Sequence, residues 1–141
     1  MIKIDNKIHL YWNDVEGLVD ILCEKIEIYL EKKEIDGIYG LSRGGLIPAV
    51  MISHKLGIPW AKVTNKNTLI IDDICDSGNT LQNWINNGFK TATLHFKPHT
   101  SCCMPALWSS THEGDEWIIY PWEKSDSAPI QDYLSKFGDS N

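Results

Sequence analysis

The sequence predicts an α/β fold, a mainly parallel sheet flanked by helices, and three observations lead there. Short apolar or β-branched runs at residues 36–41, 68–72 and 91–96 alternate with helical periodicity over residues 15–33, 46–56 and 81–87, the order expected of strand-helix-strand units with right-handed crossovers. The run Leu69-Ile70-Ile71 is continuously apolar, as in strands covered on both faces, and too short for a helix. Two of the runs lead into loops rich in Ser, Gly and Asp, at the sheet edge where open α/β folds bind ligands.

The elements follow in order. Val15, Leu18, Val19, Leu22, Ile26, Tyr29 and Leu30 mark one face of a first helix, with Asn13 or Asp14 as N-cap and Lys32-Lys33 in the last turn. A buried strand over 36–41 ends at Ser42-Arg43-Gly44-Gly45, a second helix runs from 46 to 56, and Gly57-Ile58-Pro59 stops it. Further strands are expected at 60–64, 68–72 and 91–96, with a helix over 81–87 ended by Gly88. Residues 98–116 have no clean period and read as an irregular lobe over one end of the sheet. Trp117-Ile118-Ile119-Tyr120 is an apolar strand closed by Pro121-Trp122-Glu123, and the polar tail offers one weak helical turn near Tyr133. These boundaries give a single domain over 1–141: a core of about 11–97, a small C-terminal hood of about 98–123, and a polar tail over 124–141.

Composition narrows the function classes. The 141 residues are 43% hydrophobic and 23% charged, as in globular domains of ordinary size, and no apolar run approaches the ~20 residues that cross a bilayer. The start Met-Ile-Lys-Ile-Asp lacks the apolar core of a signal peptide, so a cytoplasmic protein without a membrane partner is expected. Net charge is −6 and the cations are scattered, which argues against nucleic acid. Cys23, Cys75, Cys102 and Cys103 form no disulfide framework and are expected to be reduced. A zinc site from His95, His99, Cys102, Cys103 and His112 has poor ligand spacing.

The chemistry concentrates in Asp72-Asp73-Ile74-Cys75-Asp76-Ser77-Gly78-Asn79-Thr80. Single residues of this stretch read as turn and cap positions. Their uninterrupted order, strand then acid pair then third acid then Ser-Gly-x-Thr, reads instead as a nucleotide or sugar-phosphate site, with backbone N–H groups at a helix start facing a phosphate.

That stretch resembles the signature by which type I phosphoribosyltransferases bind phosphoribosyl pyrophosphate, and within that family the xanthine-guanine and hypoxanthine-type purine enzymes. Ser42-Arg43-Gly44-Gly45-Leu46 with Pro48 is similar to the family's pyrophosphate loop, Phe96-Lys97-Pro98 to its base-recognition lysine, and residues 117–123 to its hood; Tyr11-Trp12 also suits the group. The resemblance spans residues 11–123. It implies that Asp72 and Asp73 hold the ribose hydroxyls, directly or through Mg²⁺, and that Asp76 is the general acid/base at the purine's imidazole edge. It further implies that Ser77, Gly78, Asn79 and Thr80 take the 5′-phosphate, that Arg43 and the Gly44 amide take the pyrophosphate in a substrate-binding loop with a cis peptide at Ser42-Arg43, and that Lys97 donates to a 6-oxo group. Trp117 would stack on the purine and the Ile118 backbone would read its 2-position. A homodimer is compatible with the family.

One departure bears on mechanism. Where the family inserts a long closing loop, only Asn65, Lys66 and Asn67 stand between the strands expected at 60–64 and 68–72, so a tight hairpin without a lid is expected. A lid excludes water and completes such sites. The expected function is therefore purine phosphoribosyl transfer with slow or subunit-assisted closure. The alternative is a non-catalytic binder of the donor or a nucleotide; a ribohydrolase using water as acceptor is a weaker third. Residues 98–116 are a candidate cover for the site.

Overall fold

A computed structural model describes residues 1–124; the turn expected near Tyr133 lies outside them. Strands β1 (Ile2–Ile4) and β2 (Lys7–His9) precede helix α1 (Trp12–Glu31), strand β3 (Gly37–Gly40), helix α2 (Leu46–Leu56), strand β4 (Thr68–Cys75), helix α3 (Asn79–Asn86), and strands β5 (Lys90–Phe96), β6 (Leu107–Thr111) and β7 (Trp117–Ile119). The main sheet has the order β3-β4-β5-β6, and every adjacent pair is parallel. Helices α1 and α2 pack on one another and on the sheet, while α3 packs on β4 and β5. The pleat divides the core accordingly: Leu69 and Ile71 join Val15, Val19, Leu22, Ala49 and Ile52, whereas Ile70 joins Leu81 and Trp84.

Four expectations are corrected. The strand over 60–64 does not form: Trp60 makes a single parallel bridge to Ile38 and the chain then leaves the sheet, with Val63 81% exposed and so contributing nothing to hold an extended pairing. The hairpin falls with it. Residues 65–68 instead form a local turn in which Asn65 N–H donates to Thr68 Oγ1 at 2.9 Å and Asn67 N–H to Asn65 Oδ1 at 2.8 Å. The connection nonetheless remains short, and no lid occupies it among the described residues.

Third, residues 98–116 are not wholly irregular, because Leu107–Thr111 is the fourth strand of the main sheet. Its polar side of Ser and Thr hides the period, and α1 secures it: Ser109 Oγ donates to Leu18 O at 2.6 Å and Lys25 Nζ to Trp108 O at 2.5 Å. Fourth, α1 begins at Trp12 with Tyr11 as N-cap, and Asp14 is inside the first turn, accepting the Tyr11 N–H at 2.8 Å. Strands β1 and β2 escape the sequence reading altogether. They form a hairpin through Asp5 and Asn6, and β2 pairs in parallel with β7, so the hood is a three-stranded sheet built from both ends of the described chain. The alternation of Ile2 and Ile4 ahead of an Asp-Asn turn is the signal that could have found it.

Candidate active site

Because β3, β4 and β5 are parallel neighbours, the loops at their C-terminal ends emerge at one edge. Those after β3 and β4 meet β7 across an open cleft of about 850 Å³ lined by Arg43, Gly44, Asp72, Asp73, Asp76, Ser77, Gly78, Thr80, Trp117, Ile118, Tyr120 and Trp122 among others. The expected site residues therefore converge, with three exceptions. Ser42, Asn79 and Lys97 do not line the cleft.

The acid pair lies inside β4, which runs three residues further than the expected end at Asp72. Asp72 Oδ1 accepts the Asp73 N–H at 2.9 Å, and Asp73 Oδ1 accepts the Ile74 N–H at 2.8 Å. These bonds fix both side chains against the strand. The Asp73 carboxylate also rests on Gly44, where any Cβ would strike it, so the β3 loop and the acid pair are one surface. The Ser42-Arg43 peptide is cis. Among the described residues no group of three or more His, Cys, Asp or Glu side chains is arranged to hold a metal ion; what the cleft offers a cation is two adjacent carboxylates.

Beyond β4, Ser77 Oγ accepts the Asn79 N–H at 3.2 Å, and Gly78 opens α3 with φ 83°. Gly78 is needed twice over: its backbone is left-handed, and a Cβ would fall on Ser101 Oγ, Cys103 Sγ and Cys102 Sγ. The turn after β5 thus lies directly behind the loop that opens α3. Burial pushes the Cys75 thiol beneath it up to about 12, which keeps it protonated and inert. All four cysteines are free thiols.

Lys97 is almost fully buried, at 4% exposure. Its ammonium donates to Glu116 O at 3.2 Å, stands 3.5 Å from Asp76 Oδ2 and lies 5.6 Å from the Trp117 ring centroid. One face of Trp117 is therefore taken by a cation, and its Nε1 is buried without a hydrogen-bond partner. Glu116 is held in turn by Lys3 at 2.9 Å, a pairing that draws its carboxyl down to about 2.

Two contributors were missed by sequence reasoning. Tyr120 OH donates to Asp73 O at 3.1 Å and is 2.7 Å from His95 Nδ1, which ties the hood to the acid pair. Thr100 Oγ1 donates to Asp76 Oδ1 at 2.8 Å. Neither has a sequence signal: Tyr120 reads as strand filler and Thr100 sits in a segment without period.

No protein-family model matches the chain. Relatives are nonetheless found among curated proteins and solved structures. The chain is 29% identical over 119 residues to the xanthine-guanine phosphoribosyltransferase of Nitratidesulfovibrio vulgaris, covering 67% of this chain and 72% of that protein. The crystal structure of a purine phosphoribosyltransferase from Pyrococcus horikoshii superposes with a TM-score of 0.73 at 29% identity, over 90% of this chain and 100% of that one. The xanthine-guanine-hypoxanthine phosphoribosyltransferase of Helicobacter pylori, at 18% identity, shares the fold with a TM-score of 0.69 over 83% of this chain and 93% of that one.

Proposed function

We propose that this chain, a homologue of the xanthine-guanine phosphoribosyltransferases built on the type I phosphoribosyltransferase fold, transfers 5-phosphoribose from phosphoribosyl pyrophosphate to a 6-oxopurine. Guanine, xanthine or hypoxanthine is the acceptor, and a nucleoside monophosphate and pyrophosphate are the products. The observation that carries the reading is the pairing of Asp76, which lines the cleft together with the acid pair, Ser77, Gly78 and Thr80, with the buried Lys97 ammonium just behind it. On a 6-oxopurine the oxo oxygen and the imidazole nitrogen lie side by side. An ammonium next to a carboxylate matches that edge, donor to acceptor and acceptor to donor.

In this reading Arg43 and the Gly44 amide bind the pyrophosphate, with Ser42 shaping that loop, and Ser77, Gly78, Asn79 and Thr80 bind the 5′-phosphate through N–H groups and hydroxyls. Asp72 and Asp73 orient the ribose hydroxyls. Their hard oxygens fit a magnesium ion that takes the rest of its shell from water and ligand; when bound, the ion neutralises charge on the departing pyrophosphate. Asp76 accepts the purine's imidazole proton as the base attacks, Lys97 turns one N–H to the 6-oxo group, and Trp117 and the Ile118 backbone bound the base. The protein works in the cytoplasm, as a homodimer.

A second reading, a non-catalytic binder of the donor or a nucleotide, is favoured by the short connection between Trp60 and Thr68. Incubating the protein with Mg²⁺, phosphoribosyl pyrophosphate and each purine base in turn separates the two. Nucleotide and pyrophosphate formed with 6-oxo bases and not with adenine is the expected result; donor binding without product from any base would leave the binder.

A further inference from the structure

The loop after β5 folds back under the loop after β4, and the two are matched residue by residue. Thr100 and Ser101 both donate their backbone N–H to Lys97 O, at 3.3 and 3.1 Å, closing a turn directly behind the lysine. That turn brings Thr100 Oγ1 to 2.8 Å from Asp76 Oδ1 and 2.9 Å from Asp76 O. It brings the Cys102 N–H to 2.8 Å from Ser77 O, and it stacks residues 101–103 against Gly78. The two oxygens of Asp76 consequently have different neighbours: Oδ1 shares the single threonine hydroxyl proton with the Asp76 backbone O, which clamps side chain to backbone, and Oδ2 stands beside Lys97.

A carboxylate on an sp³ carbon turns through a broad torsional well when nothing restrains it. Asp76 is 30% exposed, and burial alone does not restrain it. We infer that Thr100 is a positioning residue for Asp76: its hydroxyl pins Oδ1, so that Oδ2 is the oxygen presented, next to the Lys97 ammonium, to the imidazole N–H of the purine. The inference rests on the assignment of this edge to the base. It adds a residue from a segment that carries no signature of its own. Hydrogen bonds to a charged acceptor are among the stronger ones, and pre-orienting a reacting group is how a contact one step removed from substrate changes rate.

The test uses Thr100→Val, which replaces the hydroxyl by a methyl of similar size, and Thr100→Ser, which keeps the hydroxyl and loses the methyl. Steady-state transfer is measured together with calorimetric binding of two probes. One is 9-deazaguanine, which has the imidazole N–H but a carbon at the attacking position. The other is ribose 5-phosphate, which has no base. Expected for Thr100→Val are a kcat about tenfold lower, a donor KM within about threefold, 9-deazaguanine bound about tenfold more weakly and ribose 5-phosphate unchanged. Thr100→Ser holds kcat and 9-deazaguanine binding to within about threefold of the unaltered protein, and if the valine variant does not fold, Thr100→Ala, which also removes the hydroxyl, takes its place with the same expected losses. Equal loss in both variants, equal weakening of both probes, or no loss in either overturns the inference. If the unaltered protein binds the probes but transfers nothing, transferase activity falls and the probe comparison still decides the role of Thr100. Binding of neither probe overturns both.

Discussion

The Lys97 ammonium stands 3.5 Å from Oδ2 of Asp76, with the lysine side chain 5% exposed and the aspartate 30%. The two were assigned separate tasks from sequence, and the fold makes them adjacent. Removing each should therefore fail differently. Asp76→Asn keeps the shape and removes the proposed proton acceptor, so single-turnover transfer is expected to slow about 10²–10⁴-fold while donor affinity holds. Lys97→Ala should lower kcat/KM for 6-oxo bases relative to adenine by at least about tenfold; selectivity unchanged in that variant would remove the lysine from base recognition.

Gly44 is expected to tolerate no side chain without cost to donor binding. A Cβ there meets the Asp73 carboxylate carbon at 2.6 Å, so in Gly44→Ala the carboxylate must swing away from the position it holds against the loop. The group moved is the end of a side chain, and the folding cost is about 1 kcal/mol. Donor KM should rise about tenfold or more, which a pyrophosphate-release assay and a thermal melt on the same sample will separate from unfolding.

Stability should fall on mild acidification because of His95. Burial chiefly, with His112 and Lys97 nearby, holds its imidazole down at about 4, against an ordinary value of about 6.5. Between these values the unfolded chain binds a proton that the folded chain does not, so unfolding free energy is full above the upper value and declines toward the lower. The total loss is about 3 kcal/mol. Urea unfolding at pH 7.5 and 4.5 measures it, and His95→Phe should flatten the profile across that window.

Tyr120→Phe removes a hydroxyl that lies between His95 Nδ1 at 2.7 Å and Asp73 O at 3.1 Å. Loss of this buried link should destabilise the fold by about 1–3 kcal/mol. Combined with His95→Phe the losses should be less than additive, since both variants break the same contact; denaturant midpoints of the single and double variants check this.

Much of the framework was legible in the chain. The bounds of α2 came out as read, because an apolar run between Gly45 and Gly57 admits few alternatives. The strand carrying Ile70 was visible because a doubly covered strand needs continuous apolar residues, and the one carrying Leu94 because β-branched Thr91 and Thr93 alternate with Ala92 and Leu94. Strand β6 was hidden because its Ser and Thr side chains are satisfied by pairing with β5 and by a helix some ninety positions away, as with Ser109 and Leu18, rather than by a local apolar pattern. The extended segment after Trp60 was over-read for the opposite reason: local β-propensity was present, but no partner strand accepted it.

By itself the sequence determined which residues could do chemistry and in what local order: an acid pair, a third acid, a Ser-Gly-x-Thr loop, an Arg-Gly loop and a lysine after a strand. Local order depends on backbone preference and periodicity, which neighbouring residues supply. Only the tertiary structure decided which of those groups meet. Parallel pairing of β3, β4 and β5 brings their three loops to one edge, burial turns Lys97 inward onto Asp76, and a turn without periodicity carries Thr100 to the same carboxylate. Contacts between residues far apart in the chain are set by packing and register, and no local pattern records them.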